Sequence, residues 1–495
     1  MFGGYEVDFE SSGLSREEIR KRRRKKERTQ AMALLAAALL VVILLIGGGI
    51  FGIVKLVGGK APKEEKPAVD AVATESVTET PQEGSQSEEP AAEAEQETDS
   101  DATEEESADT EETTEEAADT EESSEETEEA PDSADPFGDD AANAQLEALV
   151  DEKIASLTLE DKVAGLFFVT PAQLMGVESE VKVMGSDFGE KISAYPVGGI
   201  VLDASNIGTE EDFSKFIMSL RGYILPDTFI GMEHEGGENS PLVQGGVTET
   251  VISPLSEIGE SLGASGAYSA GISLGGELRQ YAVNVDFAPN VDVSLKEGSV
   301  AEAEGFGVDM EETAQLGKNM VKGLSDQGIF TAVKHFPSYG DVTQDGDSGQ
   351  VISQRTKEDL QGEYAPYIEA IDAGADFVMV SHVSLPRLRG DNRPASLSPE
   401  VITDIIRTEW EYDGIVMTDF MNKSCMYQKY TYAEAAVGAI EAGADMILCP
   451  KNFMKSYNGI LDAVNAGTIT EERINESLRR IYRVKLSNSL ETTEN

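Results

Sequence analysis

The sequence has few of the residues that hold metals or form disulfides. Its 495 residues include two cysteines, Cys425 and Cys449, and three histidines. Two cysteines exclude a disulfide-rich scaffold and a cysteine-based zinc cluster. Three histidines are too few for most histidine-rich metal sites. We therefore predict that the protein needs no metal and no organic cofactor.

Positive charge is also scarce. Lys and Arg total 39 against 93 Asp and Glu, which gives a formal net charge of −54. An acidic surface of this size repels phosphate backbones, so nucleic acid is a poor partner. Much of the excess lies in residues 61–140, which hold 32 acidic and 2 basic side chains.

The same acidic segment lacks aromatic side chains before Phe137. Its Glu-, Thr-, Ser- and Ala-rich composition cannot bury enough apolar surface to offset the loss of chain entropy on folding. We predict a disordered acidic linker over residues 55–141 that holds the following domain away from the membrane. This linker is either a solvated spacer with no partner of its own or a segment that binds calcium or a cationic polymer.

Charged residues are missing from Ala31 to Val54, a run of 24 residues. As a helix with a rise of about 1.5 Å per residue, this run would span roughly 36 Å, which is enough to cross a bilayer. Arg and Lys fill residues 20–26, so the positive-inside rule places residues 1–30, a basic tail, in the cytoplasm. We predict a single-pass signal anchor at 31–54 in the cell membrane, with the C-terminal domain outside. A cleaved signal peptide and a buried core helix are the alternatives.

From residue 142 to about 490, short apolar runs alternate with longer amphipathic stretches. Eight runs have the composition of buried parallel strands, at 165–169, 199–202, 228–232, 283–287, 331–333, 376–380, 414–417 and 445–448. The helical candidates between them include 357–373 and 399–410. Eight such repeats predict a single α/β domain folded as a (β/α)8 TIM barrel. The structural alternative is an open doubly wound sheet, but no Gly-rich phosphate loop follows the first run.

Reactive groups in such a barrel lie at the carboxyl ends of the strands. Polar residues follow several of the predicted strands, at Glu233, Asp292, His335, His382 and Asp419. Several carboxylates around one mouth suit glycosidic bond cleavage, in which one attacks the anomeric carbon and a protonated partner assists the leaving oxygen. A single strand-end aspartate can also be a helix N-cap or a loop-ordering acceptor.

Four segments carry a family resemblance. The strings KHFPSYGD at 334–341, PASLSPE at 394–400, DGIVMTD at 413–419 and EGG at 235–237 resemble glycoside hydrolase family 3, in particular its β-N-acetylhexosaminidase branch. The resemblance covers nearly all of residues 145–487. It implies a retaining hydrolase whose nucleophile is the aspartate closing strand seven, which is Asp419. An aspartate held rigidly at a strand end can form a covalent glycosyl intermediate.

The acid/base motif departs from the family pattern. Members of this branch resemble KHFPGHGD followed by a D-S-H triplet, whose histidine serves as acid/base. Here the triplet is Asp345, Gly346 and Asp347, and Tyr339 replaces the histidine of G-H-G. We predict that Asp347 is the acid/base by positional replacement and that Asp345 raises its pKa, since like charges disfavour joint ionisation. Glycine at 346 is expected to make this loop more flexible.

The resemblance also implies a set of substrate-binding residues. It maps a sugar-hydroxyl-binding carboxylate onto Glu233, which is an aspartate in the family, and a Lys-His pair onto Lys334 and His335. His382, after strand six, is a fourth substrate-binding candidate. Structural roles are the alternatives: a buried hydrogen-bonded pair for Lys334 and His335, and strand-end packing for His382.

Two arginines of the family pattern are missing. One falls on Glu304, within the string EGFG, and the other falls near Pro241. A carboxylate in place of a forked cation inverts the local charge and removes bidentate donors, so the usual N-acetylglucosamine contacts cannot all be made.

Together these features predict a membrane-anchored, extracellular, retaining glycoside hydrolase. Its substrates would be terminal β-linked sugars, N-acetylhexosamines among them, of cell-wall or environmental glycans. The alternative is a catalytically inactive barrel of the same family that binds a glycan or a protein at the cell surface.

Overall fold

The computed structural model describes residues 139–491 except 249 and 250, with side chains over 143–487. The predicted basic tail and membrane span lie outside the described residues, as does the predicted linker up to residue 138. A helix already begins at Asp139, so ordered structure starts slightly before the predicted boundary at 142. In the part of the chain that is described, no helix is both long enough and apolar enough to cross a bilayer.

Eight parallel strands form one sheet that closes into a barrel. They are β1 Phe167–Val169, β2 Gly199–Val201, β3 Phe229–Met232, β4 Val285–Asp286, β5 Phe330–Phe336, β6 Phe377–Val380, β7 Ile415–Thr418 and β8 Ile447–Leu448. Their order is β7-β6-β5-β4-β3-β2-β1-β8. A parallel bridge between Met417 and Met446 joins the two ends of this series. The predicted TIM barrel is therefore confirmed, and the open sheet is excluded.

Helices connect the strands and surround the barrel. The α-helices are Asp139–Ala155, Leu159–Ala164, Pro171–Met175, Ser186–Ala194, Glu210–Tyr223, Pro241–Gln244, Leu255–Glu257, Gly263–Gln280, Val300–Glu304, Met310–Asp326, Lys357–Gln361, Ala365–Asp372, Pro386–Arg389, Ser424–Tyr427, Tyr432–Ala442, Phe453–Asn465 and Glu471–Glu491. Short 3-10 helices are Ala204–Asn206 and Ala395–Leu397, and π-helical segments are Ile258–Leu262 and Glu400–Glu409.

The structure corrects one predicted helix. The stretch 357–373 is two helices, because the first ends at the C-cap Gly362 and the second begins at Ala365 with Pro366 in its first turn. Proline has no amide hydrogen and is tolerated only at the start of a helix. A proline inside the predicted range was the signal for this break.

Aromatic side chains fill the barrel interior. The Phe168 ring lies 5.7 Å from that of Phe229 and 5.5 Å from that of Phe287, between ring centroids. Gly199 makes room for Phe168, since a Cβ at this position would lie 2.0 Å from its ring. The interior is a packed core, so a ligand must bind above it, at the mouth.

The last helix, Glu471–Glu491, lies against the amino ends of the strands. Asp445, just before β8, is fully buried and accepts a hydrogen bond from Arg480 Nη1 at 3.1 Å. Lys485 Nζ lies 4.9 Å from the centroid of the ring of Phe229, the first residue of β3. This helix therefore covers the end of the barrel opposite the mouth.

The first described helix, Asp139–Ala155, lies at the same end. Arg483 of the last helix bonds Glu147 at 3.0 Å between Nη2 and Oε2. Lys153 pairs at 3.0 Å with Asp227, which precedes β3. The chain thus enters the barrel from its closed side.

Candidate active site

Asp419 lies at the carboxyl end of β7 and is fully buried. Its amide donates to the carbonyl of Val380 at 2.8 Å, which fixes the backbone against β6. Its Oδ1 accepts from the amide of Phe420 at 2.6 Å. Its Oδ2 accepts from the hydroxyl of Tyr339 at 3.0 Å and from Lys423 Nζ at 2.8 Å. Both carboxylate oxygens are therefore occupied.

The surroundings keep Asp419 ionised. Burial alone would raise the pKa of Asp419, but the charges of Lys423 and His335 hold it well below its usual range. Burial and the neighbouring carboxylate raise the pKa of Tyr339, so its hydroxyl keeps its proton and donates it. A carboxylate at this strand end thus has the charge state that a nucleophile needs.

Lys334, in β5, is buried and bound to two carboxylates. Its Nζ lies 2.8 Å from Glu235 Oε2 and also bonds Glu233. Burial would lower the pKa of Lys334, but the two glutamates raise it above its usual value. Glu233 remains about half exposed, with 46% of its side chain accessible. Of the predicted substrate-binding residues, Glu233 thus reaches the opening and Lys334 holds it in place.

His335 follows Lys334 in β5 and pairs with a different carboxylate, that of Asp292. Its Nδ1 lies 3.1 Å from Asp292 Oδ2, and the hydroxyl of Tyr367 donates to Asp292 Oδ1 at 2.8 Å. Burial would lower the pKa of His335, but the hydrogen bond and charge of Asp292 raise it. The His335 ring meets that of Tyr339 edge-on, with centroids 5.2 Å apart.

His382 has both ring nitrogens occupied. Its Nε2 lies 3.1 Å from the carbonyl oxygen of Phe420, and its Nδ1 lies 2.8 Å from Ser396 Oγ. Burial lowers the pKa of His382 to about 4, so the ring is neutral near pH 7. Nε2 therefore donates to Phe420, the residue that follows Asp419, and His382 orients that backbone.

The loop holding the predicted acid/base lies beside Lys423. Asp345 Oδ1 accepts from the amides of Asp347 and Ser348, each at 3.2 Å, so its carboxylate orders its own loop. The Asp347 side chain is exposed, and its carbonyl accepts from Ser424 Oγ at 2.6 Å. This loop is thereby docked on the segment that follows β7.

Gly346 is buried in this contact. A Cβ at this position would lie 2.9 Å from Cys425 Sγ and 3.0 Å from Lys423 Cδ. The glycine thus permits close approach between the two loops. Contrary to the expectation of a looser loop, the structure shows Gly346 packed against its neighbours.

An open cleft of about 880 Å³ lies over the carboxyl ends of the strands. Its described lining includes Thr170 after β1, Asp203 after β2, Glu233 after β3 and Phe420 after β7. The structure brings Glu233 to this cleft, whereas Lys334, His335, His382 and Asp419 are buried. No three Asp, Glu, His or Cys side chains of the described chain are grouped so that they could hold a metal ion.

Sequence reasoning missed Lys423 and the contact made by Tyr339. Lys423 stands in a loop, where no periodicity indicates which way a side chain points. The only signal was a basic residue four positions after a candidate nucleophile. Asp292 was recognised as a strand-end carboxylate, but not as the partner of His335.

A family model decides what kind of barrel this is. The model described as the glycosyl hydrolase family 3 N terminal domain matches residues 149–484, more than half of the chain. The chain belongs to glycoside hydrolase family 3. The predicted resemblance is therefore confirmed.

Individual family 3 proteins show the same relationship. The β-hexosaminidase A of Pseudoalteromonas piscicida is 27% identical over 60% of this chain and 55% of its own length. The β-hexosaminidase of Chromobacterium violaceum is 29% identical over 52% of this chain and 73% of its own. This chain thus spans little more than half of the first of these relatives.

Solved family 3 structures share the fold. A β-N-acetylglucosaminidase from Paenibacillus sp. FPU-7 superposes with a TM-score of 0.61 at 30% identity, covering 68% of this chain and 64% of that one. A family 3 glycosyl hydrolase from Mycobacterium smegmatis has a TM-score of 0.56 at 26% identity, covering 67% of this chain and 98% of that one.

Proposed function

We propose that the protein is a retaining glycoside hydrolase that removes terminal β-linked hexosamines from glycans. The observation that carries this proposal is the ionised Asp419, held at the end of β7 in a family 3 barrel beneath an open cleft. Relatives named as β-hexosaminidases support the sugar class.

Asp419 would act as the nucleophile. One of its oxygens forms a bond to the anomeric carbon while the bond from that carbon to the leaving oxygen breaks. The leaving oxygen takes a proton from a carboxylic acid, for which Asp347 is the candidate by position. The resulting carboxylate then removes a proton from water, which attacks the same carbon and frees Asp419.

The closed arrangement around Asp419 defines what substrate binding must do. Tyr339 and Lys423 both bond Oδ2, and the side chain has no exposed area. Substrate binding must therefore give the sugar access to this buried carboxylate before Asp419 can attack. The same closure favours a second candidate function, a glycan-binding barrel without turnover.

Release of aryl alcohol from aryl N-acetylglucosaminides, glucosides and xylosides separates these two functions. We expect release that is lost in Asp419→Ala and kept in Asp404→Ala, which removes an exposed carboxylate outside the cleft. A fluorinated slow-turnover glycoside should label the peptide that contains Asp419. If none of the three substrates shows Asp419-dependent release, the result would favour the glycan-binding barrel without turnover.

The role of Asp347 is tested by leaving-group dependence. A good leaving group needs little protonation, so Asp347→Asn should slow the hydrolysis of substrates with poor leaving groups far more than that of substrates with activated ones. Equal losses on both would exclude Asp347 as the acid. Glu358→Gln, an exposed carboxylate on an outer helix, is a matched control.

We also propose that residues 31–54 anchor the enzyme in the cell membrane with residues 1–30 inside. The uncharged run and the basic residues before it support this orientation. Membrane fractionation with protease digestion of intact cells tests it. Recovery of the protein in the soluble fraction, or protection of the barrel from external protease, would contradict the proposal.

A further inference from the structure

Among the described residues that line the cleft, all the charged side chains are acidic. Five carboxylates contribute to its wall, namely Asp203, Glu233, Glu235, Glu238 and Glu304. Among the described residues that line it, none is Lys, Arg or His. A concave wall with charges of one sign focuses the potential and concentrates ligands of the opposite charge.

The cations beneath the cleft do not cancel this charge. Lys334 is shared by Glu233 and Glu235, and Lys423 is paired with Asp419. His335 is similarly engaged by Asp292. Each cation already faces at least one carboxylate, so these groups add no net positive charge to the mouth.

Three of the carboxylates that line the cleft are not paired with any described cation. Within the described chain, Asp203, Glu238 and Glu304 have no ion-pair partner, and all three residues are exposed. Asp203 accepts a hydrogen bond from the amide of Ser205, which leaves its charge uncompensated. They stand on separate segments: after β2, after β3 and at the end of the helix Val300–Glu304.

Their spread indicates what kind of cation would fit. A single metal ion needs several ligands converging on one point, and the described residues offer no such group. Carboxylates distributed around a sugar-sized space suit an extended organic cation. An anionic sugar would be repelled, and a neutral sugar would leave the charges unmatched.

Glu304 is the charge most directly placed to select a ligand. It lines the cleft; burial raises the pKa of its carboxyl, and the charges of His335, Lys334 and Lys423 oppose that rise. It stands where the family string carries arginine, so this single position changes the charge of the mouth by two units relative to that pattern.

We infer that the cleft accepts amino sugars whose nitrogen is a free, protonated amine rather than an acetamide, and that Glu304 is a specificity-determining residue for them. The inference rests on the proposed function in taking a sugar as the occupant. The preference is electrostatic, so it weakens as salt screens the charges.

Calorimetric titration of the full chain with the β-1,4-linked glucosamine trimer and with its N-acetylated counterpart tests the inference. We expect the free-amine trimer to bind at least about tenfold more tightly at low salt, with the ratio falling in salt. Glu304→Gln should reduce the ratio severalfold. Glu311→Gln, an exposed carboxylate outside the cleft, should leave it unchanged and accounts for non-specific attraction to the acidic chain. Glu238→Gln serves as a second variant should Glu304→Gln fold poorly.

Equal binding of the two trimers, tighter binding of the acetylated one, or an unchanged ratio in both cleft variants would overturn the inference.

Hydrolysis of aryl β-glucosaminides and N-acetylglucosaminides with the same leaving group separates this result from the proposed function. Amine-selective binding without turnover would defeat the glycosidase proposal alone. Turnover that favours the acetamide would defeat the inference alone. An equal loss of both activities in Glu304→Gln would assign Glu304 to proton transfer and also contradict a selective role.

Discussion

The ion pair of Lys423 with Asp419 combines two opposing effects in one residue. The ammonium group lowers the pKa of the carboxylate, which keeps the nucleophile charged. It also occupies Oδ2, the oxygen that Tyr339 shares. The same ion pair therefore keeps the nucleophile charged and restricts access to one of its two oxygens.

The first prediction concerns this pair. In Lys423→Met the pKa of Asp419 should rise, because the largest charge that opposes the effect of burial is removed. The acid-side limb of kcat/KM should consequently appear at higher pH than in the unsubstituted enzyme. Lys451→Met, an exposed residue, should not move it. An identical limb in both proteins would show that Lys423 does not set the charge state of Asp419.

His335 should make stability depend on pH. Its pKa is raised in the folded protein. Its pairing with Asp292 therefore contributes its full stability to the fold below the unfolded pKa of about 6.5, and this contribution is lost as the pH rises through the folded pKa. His335→Gln should cost about 2 kcal/mol at acidic pH and less at alkaline pH. Urea unfolding at about pH 5.5 and about pH 9 measures the difference. A cost that grows with pH would contradict this assignment.

At the scale of elements, the strands were predictable and the loops were not. Strands buried on both faces appear as continuous apolar runs, so all eight could be located from composition alone. The orientation of Lys423, Tyr339 and the 345–348 loop depends on contacts between segments far apart in sequence, which no local pattern encodes. The candidate nucleophile was predictable because a strand end fixes its position, whereas its partners were not.

Glycine in β2 tests the packing of the barrel interior. A Cβ at Gly199 would lie 2.0 Å from the Phe168 ring, so Gly199→Ala should overpack the core and cost about 1–3 kcal/mol. Gly222, near the end of the helix Glu210–Tyr223, has open space where a Cβ would lie. Gly222→Ala should therefore stabilise by about 0.5–1 kcal/mol. Urea unfolding of both variants measures the contrast, and equal effects would contradict it.

At the scale of the whole molecule, the closed end of the barrel contains an unfavourable charge. Burial lowers the pKa of Lys485 to about 8, although Asp227 opposes the shift. Folding therefore weakens the protonation of Lys485, although its side chain remains mostly charged at neutral pH. The ammonium nitrogen of Lys485 lies 4.9 Å from the centroid of the Phe229 ring, a cation–π contact that offsets part of the cost of burying the charge.

Removing that charge should stabilise the protein. Since the folded pKa lies below the unfolded value of about 10.4, unfolding free energy should rise with pH between about 8 and about 10.4. Lys485→Met should be more stable near pH 7 and should lack this rise. Thermal unfolding across this range measures it, with exposed Lys455→Met as the control. A variant that is less stable at pH 7 would show that the ammonium group contributes favourable contacts.

The helix that begins at Asp139 lies at the end of the barrel that faces away from the cleft. A surface, bead or fusion partner joined ahead of this helix would consequently sit behind the domain rather than in front of it. Sugars diffusing from solution would have an unobstructed path to the opening, and immobilisation by the N-terminal side should cost little access.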